Sequence, residues 1–242
     1  MEPGFLYGIS VGPGDPDLLT VKAAKILRAC LHVFVPKGRE GVDNEVAAIA
    51  RTYIPGDAEI HPVLFPTTVD RSDRRAGWEE PAKRIADVLE TGQDACFLVR
   101  GDILLYSTYP YLLRALQRRI PDLKVLTIPG IPPFCAAAAL VNFPLGRGTE
   151  TVTVLPAKDD LESVRRTVAQ GGAVILINIG LRLGAILDIL ENAGAFGRAV
   201  FVANAGLENQ YVEKDLSRLR GLDAETGRHS TILIQGKRED LA

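Results

Sequence analysis

The chain has 242 residues, of which 47% are hydrophobic and 24% charged, with 28 basic side chains against 30 acidic ones. This apolar fraction, together with a net charge of -2, excludes a disordered chain and gives no overall attraction for nucleic-acid phosphates. The length allows two modest domains or one large one.

An uncharged stretch at residues 125–146 is the longest in the chain, but four prolines interrupt it, so it is not expected to span a membrane. Residues 1–6 carry neither a basic nor an apolar signal segment, which favours a cytoplasmic protein. The cysteines and histidines lie far apart in the sequence, a pattern that favours buried thiols in a reducing compartment over disulfides or a metal site. These residues are Cys30, Cys96 and Cys135, and His32, His61 and His229.

Apolar runs alternate with helical patterns over about the first 140 residues. The predicted strands cover residues 5–11, 32–35, 61–65, 95–99 and 124–128. The predicted helices cover residues 18–30, 44–53, 74–90, 108–119 and 134–141. This alternation predicts a parallel sheet with helices on both faces.

The turn-rich segment FPLGRGTE at residues 143–150 is a predicted linker. After it come predicted strands at 151–155, 173–177 and 199–203 and predicted helices at 161–170 and 183–192. Two last strands are predicted at 210–219 and 230–235, and we expect antiparallel pairing among them. The predicted division is an N-terminal α/β domain at 1–143 and a smaller α/β domain at 149–242.

The first strand runs into a glycine-rich loop, GISVGPGDPDLLT at residues 8–20, which only partly matches a dinucleotide-binding fingerprint. Asp17 stands where the third glycine should be, Pro13 removes an amide donor, and no acidic residue ends the second strand. A Walker loop is excluded because no Gly-Lys-Ser/Thr follows. Asp15 and Pro16 suit the start of a helix and, with Asp17, place negative charge where a phosphate would bind. We therefore expect a neutral or cationic ligand here, and a ligand-free turn is the alternative that the residues leave open.

Two further loops with unusual residues follow predicted strands. Residues 100–102 (Arg-Gly-Asp) come directly after one strand, and Ser107 and Thr108 are available to cap the next helix. The segment PGIPPF at 129–134 follows another strand. Because ligands of open parallel sheets gather beyond the carboxyl ends of the strands, the three loops together predict a cleft.

These motifs together resemble those of the tetrapyrrole methyltransferases, which use S-adenosylmethionine. The resemblance covers nearly the whole chain and rests on residues 8–20, on Gly-Asp at 101–102 and on PGI at 129–131, in this order. Within the family, YST at 106–108 and VLPA at 154–157 look most like the precorrin-2 C20-methyltransferases of corrin biosynthesis. The resemblance implies two α/β domains with a cofactor cleft between them, the architecture of the class III methyltransferases.

The family's cofactor contacts, carried over to matching positions, give a candidate set in each domain. In the first domain the set is Pro13, Arg100, Gly101, Asp102, Ile103, Leu105, Ser107, Thr108, Ile131 and Pro132. In the second domain it is Leu155, Ala157, Ile179, Ala205 and Thr231. The chain departs from the family pattern at Ile103, where proline is usual, and at Pro132 and Pro133, where small hydroxyl residues are usual.

The substrate that the resemblance implies carries eight carboxylates, so basic residues should line the cleft. The candidates are Arg100, Lys37, Arg39, Arg71, Arg74 and Arg75, and a solvated helix start is the alternative explanation for the arginine run. His229 is a candidate to approach the cobalt of a metal-bearing substrate, and a surface histidine at a turn is the ordinary alternative. No catalytic residue is assigned, since methyl transfer within a water-poor cleft requires no covalent nucleophile.

The resemblance therefore implies a methyltransferase that acts at C20 of precorrin-2 or cobalt-factor II, with S-adenosylmethionine as donor and S-adenosylhomocysteine as product. One alternative is methylation of another tetrapyrrole, either another precorrin or uroporphyrinogen III. A second alternative is a binding module that keeps the cleft without turnover. A homodimer is implied by the resemblance, whereas nucleic-acid, membrane and metal partners are not expected.

Overall fold

The structure, a computed structural model, describes residues 2–36, 45–65, 77–157, 160–222, 224–227 and 229–237. The chain divides into two compact units, Met1–Pro132 and Pro133–Ala242. None of the described helices is long and apolar enough to cross a membrane.

The first unit contains a five-stranded sheet in which all pairs are parallel, as the sequence predicts. Its strands are β1 (Leu6–Ser10), β2 (His32–Pro36), β3 (Glu59–Val63), β4 (Ala95–Val99) and β5 (Val125–Ile128). Their order across the sheet is β3-β2-β4-β1-β5. Because all strands point the same way, the loops that follow β1, β4 and β5 emerge at the same edge of the sheet.

Helices cover both faces of this sheet because each strand is apolar on both sides. On one face, α1 (Val21–Leu27) and α2 (Glu45–Ala50) bury their apolar side chains against alternate strand residues, including Ile9. On the other face, α3 (Glu79–Leu89) and α4 (Tyr109–Arg119) form a core that includes Leu6.

The first helix is shorter than the predicted range 18–30. The Thr20 hydroxyl accepts a hydrogen bond from the Ala23 amide at 3.2 Å, so Thr20 caps α1 and the helix begins at Val21. Asp15 and Pro16 begin a separate 3-10 turn, Pro16–Leu18, in which the Asp15 carboxylate accepts from the Asp17 amide at 2.9 Å. The capping role predicted for Asp15 is therefore confirmed, but for a different helical element.

The second unit contains a mixed five-stranded sheet. Its strands are β6 (Val152–Pro156), β7 (Ala173–Ile177), β8 (Ala199–Ala203), β9 (Tyr211–Glu213) and β10 (Ser230–Ile234), in the order β6-β7-β10-β8-β9. β6 and β7 are parallel, whereas β10 runs antiparallel to both β7 and β8. Both of the last strands pair antiparallel, as predicted, but not with each other: β10 lies between β7 and β8, and β9 pairs with β8.

The predicted strand at 210–219 is wrong over most of its length. Only Tyr211–Glu213 is extended, and a 3-10 turn, Leu216–Leu219, follows it. The Asp215 carboxylate caps this turn by accepting from the Ser217 amide at 3.1 Å. Leu216 and Leu219, three positions apart, are both buried in the core on the same side.

Helices also cover both faces of the second sheet. One face packs against α6 (Leu161–Ala169) and α7 (Leu183–Asn192). The other packs against α5 (Pro133–Leu140), whose Phe134 and Ala137 contact strand residues such as Val200. This helix belongs to the second unit, whereas the predicted N-terminal domain, 1–143, includes it.

Candidate functional site

The strands β1 and β4 lie side by side, and the helices that follow them pack on opposite faces of the first sheet. In open parallel sheets the crevice between two such strands, beyond their carboxyl ends, is where ligands bind. The loops after β1, β4 and β5 meet at this position, so the predicted convergence of the three loops is confirmed.

Ser10, the last residue of β1, connects all three loops through its buried hydroxyl group. The hydroxyl donates to the Ile128 carbonyl at 2.9 Å and accepts from the Ile103 amide at 2.9 Å. None of the sequence motifs singles out Ser10. The available signal was a small polar residue at the end of an otherwise apolar strand.

Two glycines let the loop backbones approach closely. Gly12 and Gly101 both have positive φ angles, of 74° and 75°, and the Gly101 amide donates to the Gly12 carbonyl at 2.7 Å. A Cβ atom at Gly130 would lie 2.7 Å from the Gly101 carbonyl oxygen and also too close to the Ser10 Cβ. The crossing of these loops therefore requires glycine.

The Asp102 carboxylate stabilises the same crossing. One of its oxygens accepts from the Gly130 amide at 3.0 Å and the other from the Leu104 amide at 2.9 Å. Asp102 is one of the candidate cofactor contacts, and the structure shows that its carboxylate also holds two loops in place. Each carboxylate oxygen can accept a further hydrogen bond, so a ligand contact is compatible with this arrangement.

Arg100 is held by two partners within the first unit. Its Nε donates to the Pro13 carbonyl at 2.7 Å, and its Nη1 forms an ion pair with the Glu45 carboxylate at 2.8 Å. Its side chain is only 12% exposed. The geometry indicates that Arg100 fixes the loop after β1, and its predicted contact with substrate carboxylates stays a prediction.

The other basic candidates, Lys37, Arg39, Arg71, Arg74 and Arg75, lie outside the described residues.

The segment after Asp102 divides into buried and exposed residues. Ile103 is fully buried in the core beside α4, so only its main chain faces the loops. Leu104, Leu105 and Tyr106 are 62%, 37% and 56% exposed and present an apolar surface next to the glycines.

The residue that caps α4 is Ser107. Its hydroxyl donates to the Ile103 carbonyl and accepts from the Tyr109 amide at 3.2 Å. Thr108 immediately precedes the helix, but its side chain makes no capping hydrogen bond. The capping role predicted for both residues is therefore confirmed for Ser107 and wrong for Thr108.

The remaining candidates of the first unit differ in exposure. Pro13 is buried, whereas Ile131 and Pro132 are partly exposed next to Gly130. Buried Pro13 still offers its carbonyl group, which is the acceptor that Arg100 uses.

In the second unit, the predicted residues gather at the edge formed by the carboxyl ends of β6, β7 and β8 and the start of β10. The Ala157 amide donates to the Ile177 carbonyl at 2.8 Å, and Thr231 pairs with Ile177 in the sheet. Ile179 lies two residues after the end of β7, and Ala205 lies two residues after the end of β8. Leu155 lies within β6, two residues before Ala157.

Sharp turns follow two strands of this edge. Asn178 and Asn204 have positive φ angles, of 54° and 52°, which asparagine tolerates better than most residues. Ala157 and Ile179 are fully buried in the core, so they present main-chain atoms at the edge. His229 is exposed there, and its carbonyl accepts from the Asn204 amide at 3.1 Å.

Two of the three histidines lie close together in the structure, although they are far apart in the sequence. The structure brings His32 and His61 together across β2 and β3, with 3.2 Å between His32 Nδ1 and His61 Nε2. The sequence pattern does not reveal this contact, because it depends on which strands are neighbours in the sheet and on their register.

Comparisons with known proteins agree with this architecture. A family model described as "Tetrapyrrole (Corrin/Porphyrin) Methylases" matches residues 6–219. The cobalt-precorrin-2 C(20)-methyltransferase of Salmonella typhimurium is 29% identical over 231 residues, which are 96% of this chain and 96% of the relative. The precorrin-2 C(20)-methyltransferase of a Sinorhizobium species is 32% identical over 216 residues, which are 85% of this chain and 86% of the relative.

A similar fold is found in a solved structure, the uroporphyrin-III C-methyl transferase of Thermus thermophilus complexed with S-adenyl homocysteine. Its TM-score is 0.66 at 19% identity, and the match covers 96% of this chain and 92% of that chain.

Proposed function

The chain belongs to the tetrapyrrole (corrin/porphyrin) methylases, and from this premise we propose that it transfers a methyl group from S-adenosylmethionine to C20 of precorrin-2 or cobalt-factor II. One observation carries the proposal: relatives that bear the name C(20)-methyltransferase match this chain over most of their length and most of its own. The reaction belongs to cobalamin biosynthesis.

The residues at the edge of the first sheet fit the proposed methyl donor. S-Adenosylmethionine carries a positively charged sulfonium group and no phosphate. The edge offers the Asp102 carboxylate and main-chain groups of glycine loops, while the guanidinium of Arg100 is engaged by Glu45 and Pro13. The first helical turn after β1 is capped by Asp15, which places negative charge where a phosphate would need positive charge.

The proposed S-adenosylmethionine-binding residues are the two sets that the family pattern implies. In the first unit they are Pro13, Arg100, Gly101, Asp102, Ile103, Leu105, Ser107, Thr108, Ile131 and Pro132. In the second unit they are Leu155, Ala157, Ile179, Ala205 and Thr231. The burial of Ile103, Ala157 and Ile179 supports contacts through their main-chain atoms.

When bound, the donor supplies a methyl group that is transferred by in-line displacement to a nucleophilic carbon. The residues of this chain contribute chiefly by positioning the donor and the acceptor carbon, since correct orientation of two reactants can supply a large part of the rate acceleration. The hydrogen bonds of Ser10 and Asp102 fix the loops rigidly, which preserves the alignment of donor and acceptor. We propose that the exposed apolar segment 104–106 packs against the macrocycle and excludes water there, and that Arg100, Lys37, Arg71 and Arg74 attract its carboxylates.

We further propose that the protein works as a homodimer in the cytoplasm, as the family resemblance implies. Sedimentation equilibrium of the purified chain tests the dimer. A mass near twice that of the 26.2 kDa chain supports it, and a monomer at all concentrations contradicts it.

The function is tested in three separate reactions, in which the purified protein and S-adenosylmethionine are incubated with precorrin-2, with cobalt-factor II or with uroporphyrinogen III. Mass spectrometry then measures the mass of each product. We expect one added methyl group on precorrin-2 or cobalt-factor II. Methylation of uroporphyrinogen III alone would assign the protein to another step, and cofactor binding without any product would make it a binding module.

A further inference from the structure

A cluster of potential metal ligands lies at the opposite edge of the first sheet from the loops described above. His32 is the first residue of β2, Glu59 is the first residue of β3, and His61 follows two positions later. β2 and β3 are parallel, with His32 paired to Glu59 and Phe34 to His61. Side chains two positions apart on a strand share a face, so this register places all three ligands together.

The distances within the cluster match those around a small tetrahedral metal ion. His32 Nδ1 lies 3.2 Å from His61 Nε2, and the Glu59 Oε2 lies 3.7 Å from the first nitrogen and 3.6 Å from the second. Metal–ligand bonds of zinc sites put neighbouring tetrahedral ligands about 3.3 to 3.6 Å apart. A shift of a few tenths of an ångström therefore suffices for all three atoms to reach one ion.

The environment of the cluster suits an ion that also keeps a water ligand. The side chains of His32 and His61 are 13% and 21% exposed, whereas that of Glu59 is 69% exposed and leaves the cluster open to solvent. The His61 ring stacks on Phe34, with 4.5 Å between the ring centroids, and this contact fixes its orientation. Two imidazoles and one carboxylate are typical of zinc and related ions, whereas calcium and magnesium prefer oxygen ligands alone.

A positive charge lies near the cluster. The Arg84 Nη1 donates to the carbonyl of Pro62, the residue after His61, at 2.8 Å. This guanidinium opposes the binding of a cation, whereas the Glu59 carboxylate favours it.

We propose that His32, Glu59 and His61 form a binding site for a divalent transition-metal ion of the zinc type. The site connects the edge strand β3 to β2 and is separated from the carboxyl-end loops by the length of a five-residue strand, about 13 Å. An ion at this place stabilises the fold rather than taking part in methyl transfer. The inference is independent of the proposed function. A direct hydrogen bond between the two histidines without an ion is the competing explanation.

The test is a titration of the metal-free, full-length protein with Zn²⁺ by calorimetry and with Co²⁺ by visible absorption. We expect one bound ion per chain and the intense absorption bands of tetrahedral Co²⁺. Glu59→Gln and His61→Gln should each weaken binding by at least about tenfold. The matched control is Glu162→Gln, which removes an exposed carboxylate that pairs with Arg165. His229→Asn is the control for the loss of a histidine outside the cluster.

Thermal unfolding of the same proteins supplies a second readout. Zn²⁺ should raise the midpoint of the wild type and of both controls, but not that of Glu59→Gln. The carboxylate is exposed, so this variant should fold normally without metal, and its rate of methyl transfer should be unchanged. Failure of the wild type to bind either ion, or equal binding by Glu59→Gln and Glu162→Gln, would overturn the proposal.

Discussion

The Nε of Arg100 donates a hydrogen bond to the Pro13 carbonyl at 2.7 Å, although the two residues are 87 positions apart in the chain. The same guanidinium pairs with Glu45 at 2.8 Å. Arg100 thus joins the loop after β1, the end of β4 and the start of α2.

Replacing Arg100 by alanine should therefore weaken S-adenosylmethionine binding even if the side chain never touches the ligand. Loss of charged hydrogen bonds in a largely buried position costs about 1.5 to 3 kcal/mol, and the loop after β1 would lose its support. We expect calorimetry to show binding weaker by about 10- to 100-fold. Arg165→Ala, an exposed surface arginine, serves as the control. Unchanged affinity in Arg100→Ala would remove Arg100 from the site.

Ser10→Ala should destabilise the first unit. The variant leaves the Ile103 amide and the Ile128 carbonyl without the hydroxyl that satisfies both, and each buried unpaired group costs about 1 to 3 kcal/mol. Urea unfolding should report this loss. Ser217→Ala, at an exposed turn, should change the free energy of unfolding by about 0.5 kcal/mol or less. Equal effects of the two substitutions would show that Ser10 does not hold the loops together.

Gly130→Ala should impair cofactor binding because the added methyl group would meet the Gly101 carbonyl and Ser10. Overpacking of this kind costs about 1 to 3 kcal/mol and displaces the crossing loops. In contrast, a Cβ at Gly56 would have no neighbour within 4 Å among the residues that the structure describes, so Gly56→Ala should bind S-adenosylmethionine normally. Tight binding by both variants would contradict the close packing of the loops.

The stability of the protein should fall at alkaline pH partly because of Tyr109. Burial raises the pKa of the Tyr109 phenol in the folded state, where its hydroxyl lies 3.1 Å from the Thr127 hydroxyl. A folded pKa above the unfolded value gives stability that is complete below about pH 10 and is lost as the pH rises further. Tyr109→Phe should lower the dependence of the unfolding free energy on pH in this range. A pH dependence in Tyr109→Phe equal to that of the wild type would refute the assignment.

Elements with a continuous apolar run could be predicted well from the sequence. The strand Ala173–Ile177 and the helix Leu183–Asn192 have their predicted bounds, because burial on both faces and a regular apolar spacing are local properties of the chain. The segment 210–219 misled the prediction since its last two leucines are buried by a capped 3-10 turn, which alternation alone does not reveal.

The contacts that organise the site could not be predicted in the same way. The register between β2 and β3, which brings His32 to His61, depends on where β3 begins. The bond from Ser10 to Ile128 joins residues 118 positions apart, so only the folded sheet makes it visible. The family motifs identify which loops matter, whereas the structure shows that Asp102 and Arg100 also hold these loops to one another.

The most direct measurement uses S-adenosylmethionine with a ¹³C-labelled methyl group, the purified enzyme and precorrin-2 or cobalt-factor II, followed by NMR of the product. A single labelled methyl carbon attached at C20 is the expected result. A label on any other ring carbon, or none on either macrocycle while the donor binds tightly, would contradict the assignment of this chain as a C20-methyltransferase.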